Sequence, residues 1–286
     1  MNRTSRLALG LKAAVFLFLP LQFSVTAFSA AELTLGLSAA RPLSVPSATY
    51  ISEALKNSRH TSLLATSSES ALDRKVSIDG ADWDRVPTLT EAQLEKSFES
   101  VRDTKFFTDE DGRPRRATWL YPDDGCFVRA AAAAEHIESV LKISSAKIFA
   151  FGDLEVKTEN SPQGSVGWWY HVAAIGKVID PKTGDSRIFV YDPAIQPKKA
   201  MEVSEWLKAM NAPKAEIAVC SGGAYDPTSE CDKIVTSPSR QAQREVQWFL
   251  PSEWWRLEEL GREPEKELGD SPPWQAPFLP IQNAVR

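Results

Sequence analysis

The chain has 286 residues, 43% of them hydrophobic, with 33 basic against 38 acidic side chains and a formal charge of -5. That supplies enough apolar material for one packed domain of ordinary size with an extra segment beside it. With no basic run to neutralise phosphates, nucleic acid is excluded as a default partner.

Residues 1–31 combine a basic start (Arg3, Arg6, Lys12), an apolar run and a set of small residues. They read as a secretory signal and not a membrane span, because Pro20 and Gln22 interrupt a run already too short. Cleavage after Ala27, Ala30 or Ala31 is compatible with the pattern. The mature protein is expected to be secreted or periplasmic, soluble, monomeric and free of membrane contact. Export places three cysteines in an oxidising compartment, where thiols pair and an odd count leaves one over. Cys220 and Cys231 bracket a loop rich in Gly, Ser, Asp and Pro that can close on itself, and pairing them leaves Cys126 free.

Residues 32–87 are Ser- and Ala-rich with weak periodicity, and they read as an N-terminal extension or pro-segment with a loose connection at its end. A small subdomain is the alternative. A compact domain is expected from Thr88 to Arg262. Thr90 and Gln93 form a capping-box pattern, and Leu89, Leu94, Phe98 and Val101 recur at helical spacing. "ATWLYP" reads as a short strand or an extended lead into a helix over about 126–142, whose alanines and Phe127, Ile137, Val140 and Leu141 make it apolar around most of its circumference. Such a helix is usually central. "AKIFAFGDLEV" reads as a strand, and "WWYHVAAIGKVI" and "SRIFVYD" as two more joined by the turn "DPKTGD". "VSEWLKAM" is a short helix, "REVQWFLPSEWWRLEEL" packs on the domain, and residues 263–286 form a Pro-rich tail expected to be disordered.

Chemistry concentrates at Cys126. The dipole and free N–H groups of a helix N-terminus favour thiolate over thiol there, with Asp123 and Asp124 expected to cap the helix and point away from the sulfur. Of the three histidines, His136 lies ten residues further along the same helix, roughly 15 Å away at about 1.5 Å per residue. His60 sits in the weakly patterned extension, so His171 remains as a base. If "DPKTGD" is the turn, antiparallel register pairs residues whose numbers sum to roughly 363 to 365, which sets His171 opposite about Asp192. Asp180 would lie roughly 30 Å along the strand at about 3.3 Å per residue. Cys126, His171 and Asp192 are therefore the candidate nucleophile, base and orienting group. Trp168, Trp169 and Tyr170, beside the histidine, are candidate substrate contacts. A structural reading stands beside each: buried small residue for the cysteine, core histidine, and core or rim packing for the tryptophans.

At these residues the sequence resembles the bacterial protein-glutamine glutaminase family. "YPDDGCFVRA" is similar to its cysteine motif, Tyr-Pro-x-Asp-Gly-Cys-x-x-Arg-Ala, at Tyr121, Pro122, Asp124, Gly125, Cys126, Arg129 and Ala130. "WWYHVA" resembles the histidine motif at Trp168, Tyr170, His171, Val172 and Ala173, and "YDPAI" the aspartate motif at Asp192 and Pro193. The resemblance covers roughly residues 88–235. It implies an α+β fold with a papain- or transglutaminase-like core, in which a central Cys-bearing helix packs on an antiparallel sheet. It also implies a Cys-His-Asp triad, a precursor whose pro-segment blocks the site, and deamidation of exposed glutamine in protein substrates without metal or cofactor. The stretch before Thr88 is shorter than the family's pro-region, and the chain from about Ile234 does not align, so the far wall of the cleft is expected to differ. The nearest alternatives are a papain-like protease or a transglutaminase; from another class, a non-catalytic binding or effector module on the same scaffold.

Overall fold

The computed structural model describes residues 69–235, 240–270 and 272–274. The signal, most of the extension, His60 and residues 275–286 lie outside these. The fold grows from one hairpin. Strand β4 (Ala146–Lys157) pairs antiparallel with β5 (Ser165–Ile179), and β5 with β6 (Ser186–Tyr191). The β5–β6 register runs from Ala174 opposite Tyr191 to Ile179 opposite Ser186, within the expected window. Short β7 (Met201–Glu202) extends the sheet beyond β6, and β8 (Glu216–Ser221) extends it beyond β4. Two-residue β1 (Thr88–Leu89) joins β5 in parallel where β4 has not yet begun. The register slips between Phe151 and Leu154, at a bulge where Gly152 adopts φ 142°.

Helices cover both faces. Helix α1 (Glu91–Asp103) starts on the expected capping box: Gln93 N–H donates to Thr90 Oγ1 at 3.2 Å and Thr90 N–H donates to Gln93 Oε1 at 2.9 Å. Its Leu94, Phe98 and Val101 join Val128, Ala131, Ala132, Ala133 and Ile137 of helix α2 (Cys126–Leu141) in one core, closed by Ala174, Val178 and Tyr191 of the sheet. Alanine's small side chain lets that helix lie close on the strands, which is why it is central. On the other face Ile148, Ala150, Ala173 and Ile175 pack under helix α3 (Val203–Ala209), chiefly Trp206 and Leu207. Helix α4 (Arg240–Glu259) rests on α2 through Val246, Phe249 and Leu250. The architecture is α+β, with the cysteine-bearing helix packed on an antiparallel sheet, as the resemblance implied.

Three stretches differ from expectation. "ATWLYP" forms consecutive turns, and the nearby strand is β3 (Pro114–Arg115), which pairs with β2 (Phe107–Thr108). Residues 69–87 are not loose. Val76 and Ile217 exchange backbone hydrogen bonds at 2.9 and 2.8 Å, Leu72 N–H donates to the Pro227 carbonyl at 3.1 Å, and Arg74 Nη1 donates to Asp232 Oδ1 at 2.7 Å. Two 3₁₀ turns, Ile78–Gly80 and Trp83–Arg85, lead to buried Val86. Irregular segments of this kind dock residue by residue, so they carry no periodic signal. Beyond Arg262, where a disordered tail was expected, helix α5 (Pro264–Glu267) forms and Trp274 Nε1 donates to Asp103 Oδ1 at 3.0 Å. Aromatic anchoring offsets the Pro-rich composition there.

Cys220 and Cys231 are disulfide-bonded, leaving Cys126 as the free cysteine. No described helix is long and apolar enough to cross a membrane. Beside the disulfide strand, Lys147 is buried and its Nζ donates to the Ala224 carbonyl at 2.7 Å. Burial pushes its pKa down from 10.5 to about 7. A depressed lysine contributes its full share of stability only above pH 10.5, and loses it as pH falls toward about 7. Lys147→Met is therefore expected to raise stability by about 1–3 kcal/mol at pH 7, net of the lost hydrogen bond. Denaturant titrations should show that gain shrinking steadily toward pH 10; a gain independent of pH would show that the ammonium is not what burial penalises.

Candidate active site

Gly125, just before α2, adopts φ 79° and ψ 13°, so the chain enters the helix through a left-handed residue with no side-chain cap. The expected capping by Asp123 and Asp124 does not occur. Asp123 instead faces Arg256 of α4 in a two-pronged ion pair at 2.7 and 3.1 Å, and Asp124 Oδ1 accepts from Gly125 N–H at 2.7 Å. Glycine is required at 125 on two counts: the positive φ, and Phe249, whose ring lies 3.0 Å from where a Cβ would stand.

The turn that delivers Cys126 is held by side chains of α2, α4 and β5. Buried Arg129 Nη1 donates to the carbonyls of Tyr121 at 3.0 Å and Asp124 at 2.6 Å, with a longer contact to Thr118. From helix α4, buried Glu253 Oε1 accepts from Leu120 N–H at 3.0 Å, alongside the Arg256–Asp123 pair. Trp168 Nε1 adds a third tie, donating to the carbonyls of Pro122 and Asp123 at 3.1 and 3.2 Å.

His171 on β5, three residues from the last ladder pair Ala174–Tyr191, meets Asp192, one residue past it. Nε2 lies 2.8 Å from Asp192 Oδ2 and donates to it. The other nitrogen, Nδ1, is buried and makes no hydrogen bond of good geometry, while the Cys126 thiol is near enough to act on the ring's charge. Burial works against the imidazolium, but the Asp192 carboxylate, its hydrogen bond and Cys126 outweigh it and raise the His171 pKa to about 9. Burial likewise opposes the Asp192 carboxylate, yet His171, with Trp206 and Arg129, holds its pKa below the usual range. The structure therefore brings Cys126, His171 and Asp192 together, at 5%, 1% and 3% exposure.

The three candidate substrate contacts separate. Trp168 is interior, stacked on the His171 ring at 4.5 Å and 16°. Tyr170 is also interior, and burial followed by the Cys126 charge raises its phenol pKa well above the ordinary value. Both side chains are buried, as are Cys126 and His171 themselves. Trp169 alone keeps some surface, and its buried indole N–H has no partner. His136 is remote from the sulfur: its Nε2 lies 2.6 Å from Ser100 Oγ, under Phe106. Asp180 remains in the turn, accepting from Lys182 N–H at 2.7 Å.

Sequence reasoning missed Trp206, whose Nε1 donates to Asp192 Oδ2 at 2.8 Å. The available signal was its place on the inner face of "VSEWLKAM", which separates it from an exposed tryptophan but not from any other core tryptophan.

Residues 94–210 match the family model described as Glutaminase. Among solved structures, the chain is 19% identical to a protein-glutaminase crystal structure, covering 57% of this chain and 90% of that one at a TM-score of 0.43. It is 18% identical to the NMR structure of protein-glutaminase from Chryseobacterium proteolyticum, covering 67% and 95% at 0.46. A pro-protein-glutaminase crystal structure is 18% identical, with 57% of this chain and 58% of that one covered at 0.42. The chain thus spans under two thirds of that precursor. No curated protein matches the chain.

Proposed function

We propose, for a chain whose residues 94–210 belong to the glutaminase family, that this amidohydrolase is a secreted protein-glutamine glutaminase with Cys126 as nucleophile. The observation carrying the reading is the orientation of His171: Nε2 is engaged by Asp192 at 2.8 Å, and Nδ1 is left unsatisfied in the presence of the thiol. A base with one nitrogen fixed and the other free is what a cysteine nucleophile needs. In the proposed cycle His171 takes the thiol proton, and sulfur attacks the side-chain carboxamide carbon of a protein-bound glutamine. The oxyanion develops near the unsatisfied N–H groups of the first turn of α2. His171 then gives its proton to the departing nitrogen, which leaves as ammonia, and a thioester remains. Water, deprotonated by His171, resolves it to glutamate.

Closure of the site supports a zymogen reading of the N-terminal extension. Ala71 is fully buried in the same apolar cluster as Cys126, Phe151 and Tyr170, with Leu72 packed against it. On this reading residues 69–74 end an inhibitory segment over the thiol, and substrate reaches Cys126 once it is cut. The disulfide supports export.

The test is incubation of the exported protein, before and after limited proteolysis, with a glutamine-rich protein and no added amine. Ammonia release matched by glutamate in the product, greater after cutting, is the expected result. Peptide-bond cleavage without ammonia would indicate a protease instead, and ammonia only when a lysine amine is supplied would indicate a transglutaminase.

A further inference from the structure

We infer that Trp206 is a positioning residue: its indole N–H locks the Asp192 carboxylate so that the His171 ring presents Nδ1 toward Cys126. The inference rests on the cysteine–histidine reading above and deepens it.

Asp192 Oδ2 accepts from two donors at once, Trp206 Nε1 and His171 Nε2, each at 2.8 Å. A carboxylate oxygen has two lone-pair directions, so both are filled and the oxygen is pinned from two sides. With the imidazole as sole partner, the carboxylate could rotate about its own bond and carry the ring with it. The Trp206 ring does a second job. Its centroid lies 5.7 Å from that of His171, while Trp168 stacks on the imidazole at 4.5 Å, so two indoles pack against it.

The anchor itself is fixed. Trp206 is fully buried, its neighbours Leu207 and Met210 are buried too, and Glu155 N–H donates to the Met210 carbonyl at 2.9 Å, tying the end of α3 to β4. Helix α3 therefore holds the donor on the rigid sheet and not on a loop. The charged or titratable groups that bear on the pair are Cys126 and Arg129; Cys126 also bears on Tyr170, as do Asp124 and Asp226. None of them donates to Oδ2 in place of the indole.

Trp206→Phe keeps most of the ring and removes the donor. If the carboxylate is released, the imidazolium loses its fixed partner at a site where burial opposes its charge. We expect kcat to fall at least about tenfold with KM within about twofold, and the alkaline limb of the pH profile to move down by about one pH unit. The His171 NMR titration should move the same way. Leu207→Ala, which truncates a neighbouring core side chain, should lower Tm and leave both the limb and the titration in place. Should the Phe protein not fold, Trp206→Met makes the same comparison. A donor-less variant that keeps kcat, or loses it with the limb and the His171 titration unmoved, overturns the inference. An inactive wild type would sink the deamidase reading instead, and the NMR titration, which needs no substrate, would still decide the role of Trp206.

Discussion

Cys126→Ala protein is expected to release no ammonia from a glutamine-rich substrate above the uncatalysed rate, a loss of about 10⁴-fold or more. Removing sulfur eliminates the covalent step itself. No other free cysteine stands among the described residues to replace it. The substitution deletes one atom at the first position of α2, where Gly125, Arg129 and Phe249 hold the backbone. Tm should therefore change by only a few degrees. Thiol titration of the unreduced, denatured protein should find a sulfhydryl in the wild type and none in the variant. Substantial ammonia release from Cys126→Ala would reassign the nucleophile, and a collapse of Tm would make the lost activity uninformative.

Asp192→Asn should be nearly as damaging, with kcat reduced about 10²- to 10⁴-fold, and it should leave a signature in pH. In the wild type the raised His171 pKa contributes stability that is fully present below its ordinary value of 6.5, and is lost as pH rises through about 9. That interval, at about 1.4 kcal/mol per pH unit, comes to about 3 kcal/mol. An asparagine carries no charge to hold the proton, so burial of the imidazole is then opposed chiefly by Cys126 and the pKa drops. The variant should be less stable than wild type chiefly below pH 6.5, with the difference closing toward pH 9. Denaturant midpoints across that range check the sign. A difference that grows with pH would mean the pair is not an imidazolium–carboxylate in the folded protein. The alkaline limb of activity should shift down with it.

Local chemistry and short-range register were readable in the sequence. The capping box at Thr90 and Gln93, the alanine-rich helix and the cysteine pairing each rest on a few neighbouring residues. Because a hairpin turn converts sequence position into spatial position by simple arithmetic, the contact between His171 and Asp192 could be anticipated as well. What could not be read was set by partners distant in the chain. Trp206 looks like any core tryptophan until the strand carrying Asp192 is folded beneath it. Residues 69–87 dock through single contacts to Ile217, Pro227 and Asp232, and no period records them. The burial of Trp168 and Tyr170 was unreadable for a related reason. Nearness in sequence to a histidine says nothing of which layer a strand side chain enters, and here both enter the interior.

Helix α4 shows where a boundary defined by sequence likeness and a boundary defined by mechanics part company. The family match stops at residue 210, yet three supports of the cysteine turn come from beyond it: Phe249 over Gly125, Glu253 at Leu120 and Arg256 at Asp123. The matched segment is therefore not a transferable module. Inherited or grafted alone, it would keep every residue of the Cys126–His171–Asp192 set and lose part of the frame that aims the first of them. On the proposed reading the frame of the site is the longer packed body, and changes in its C-terminal helix count as changes to the nucleophile's surroundings.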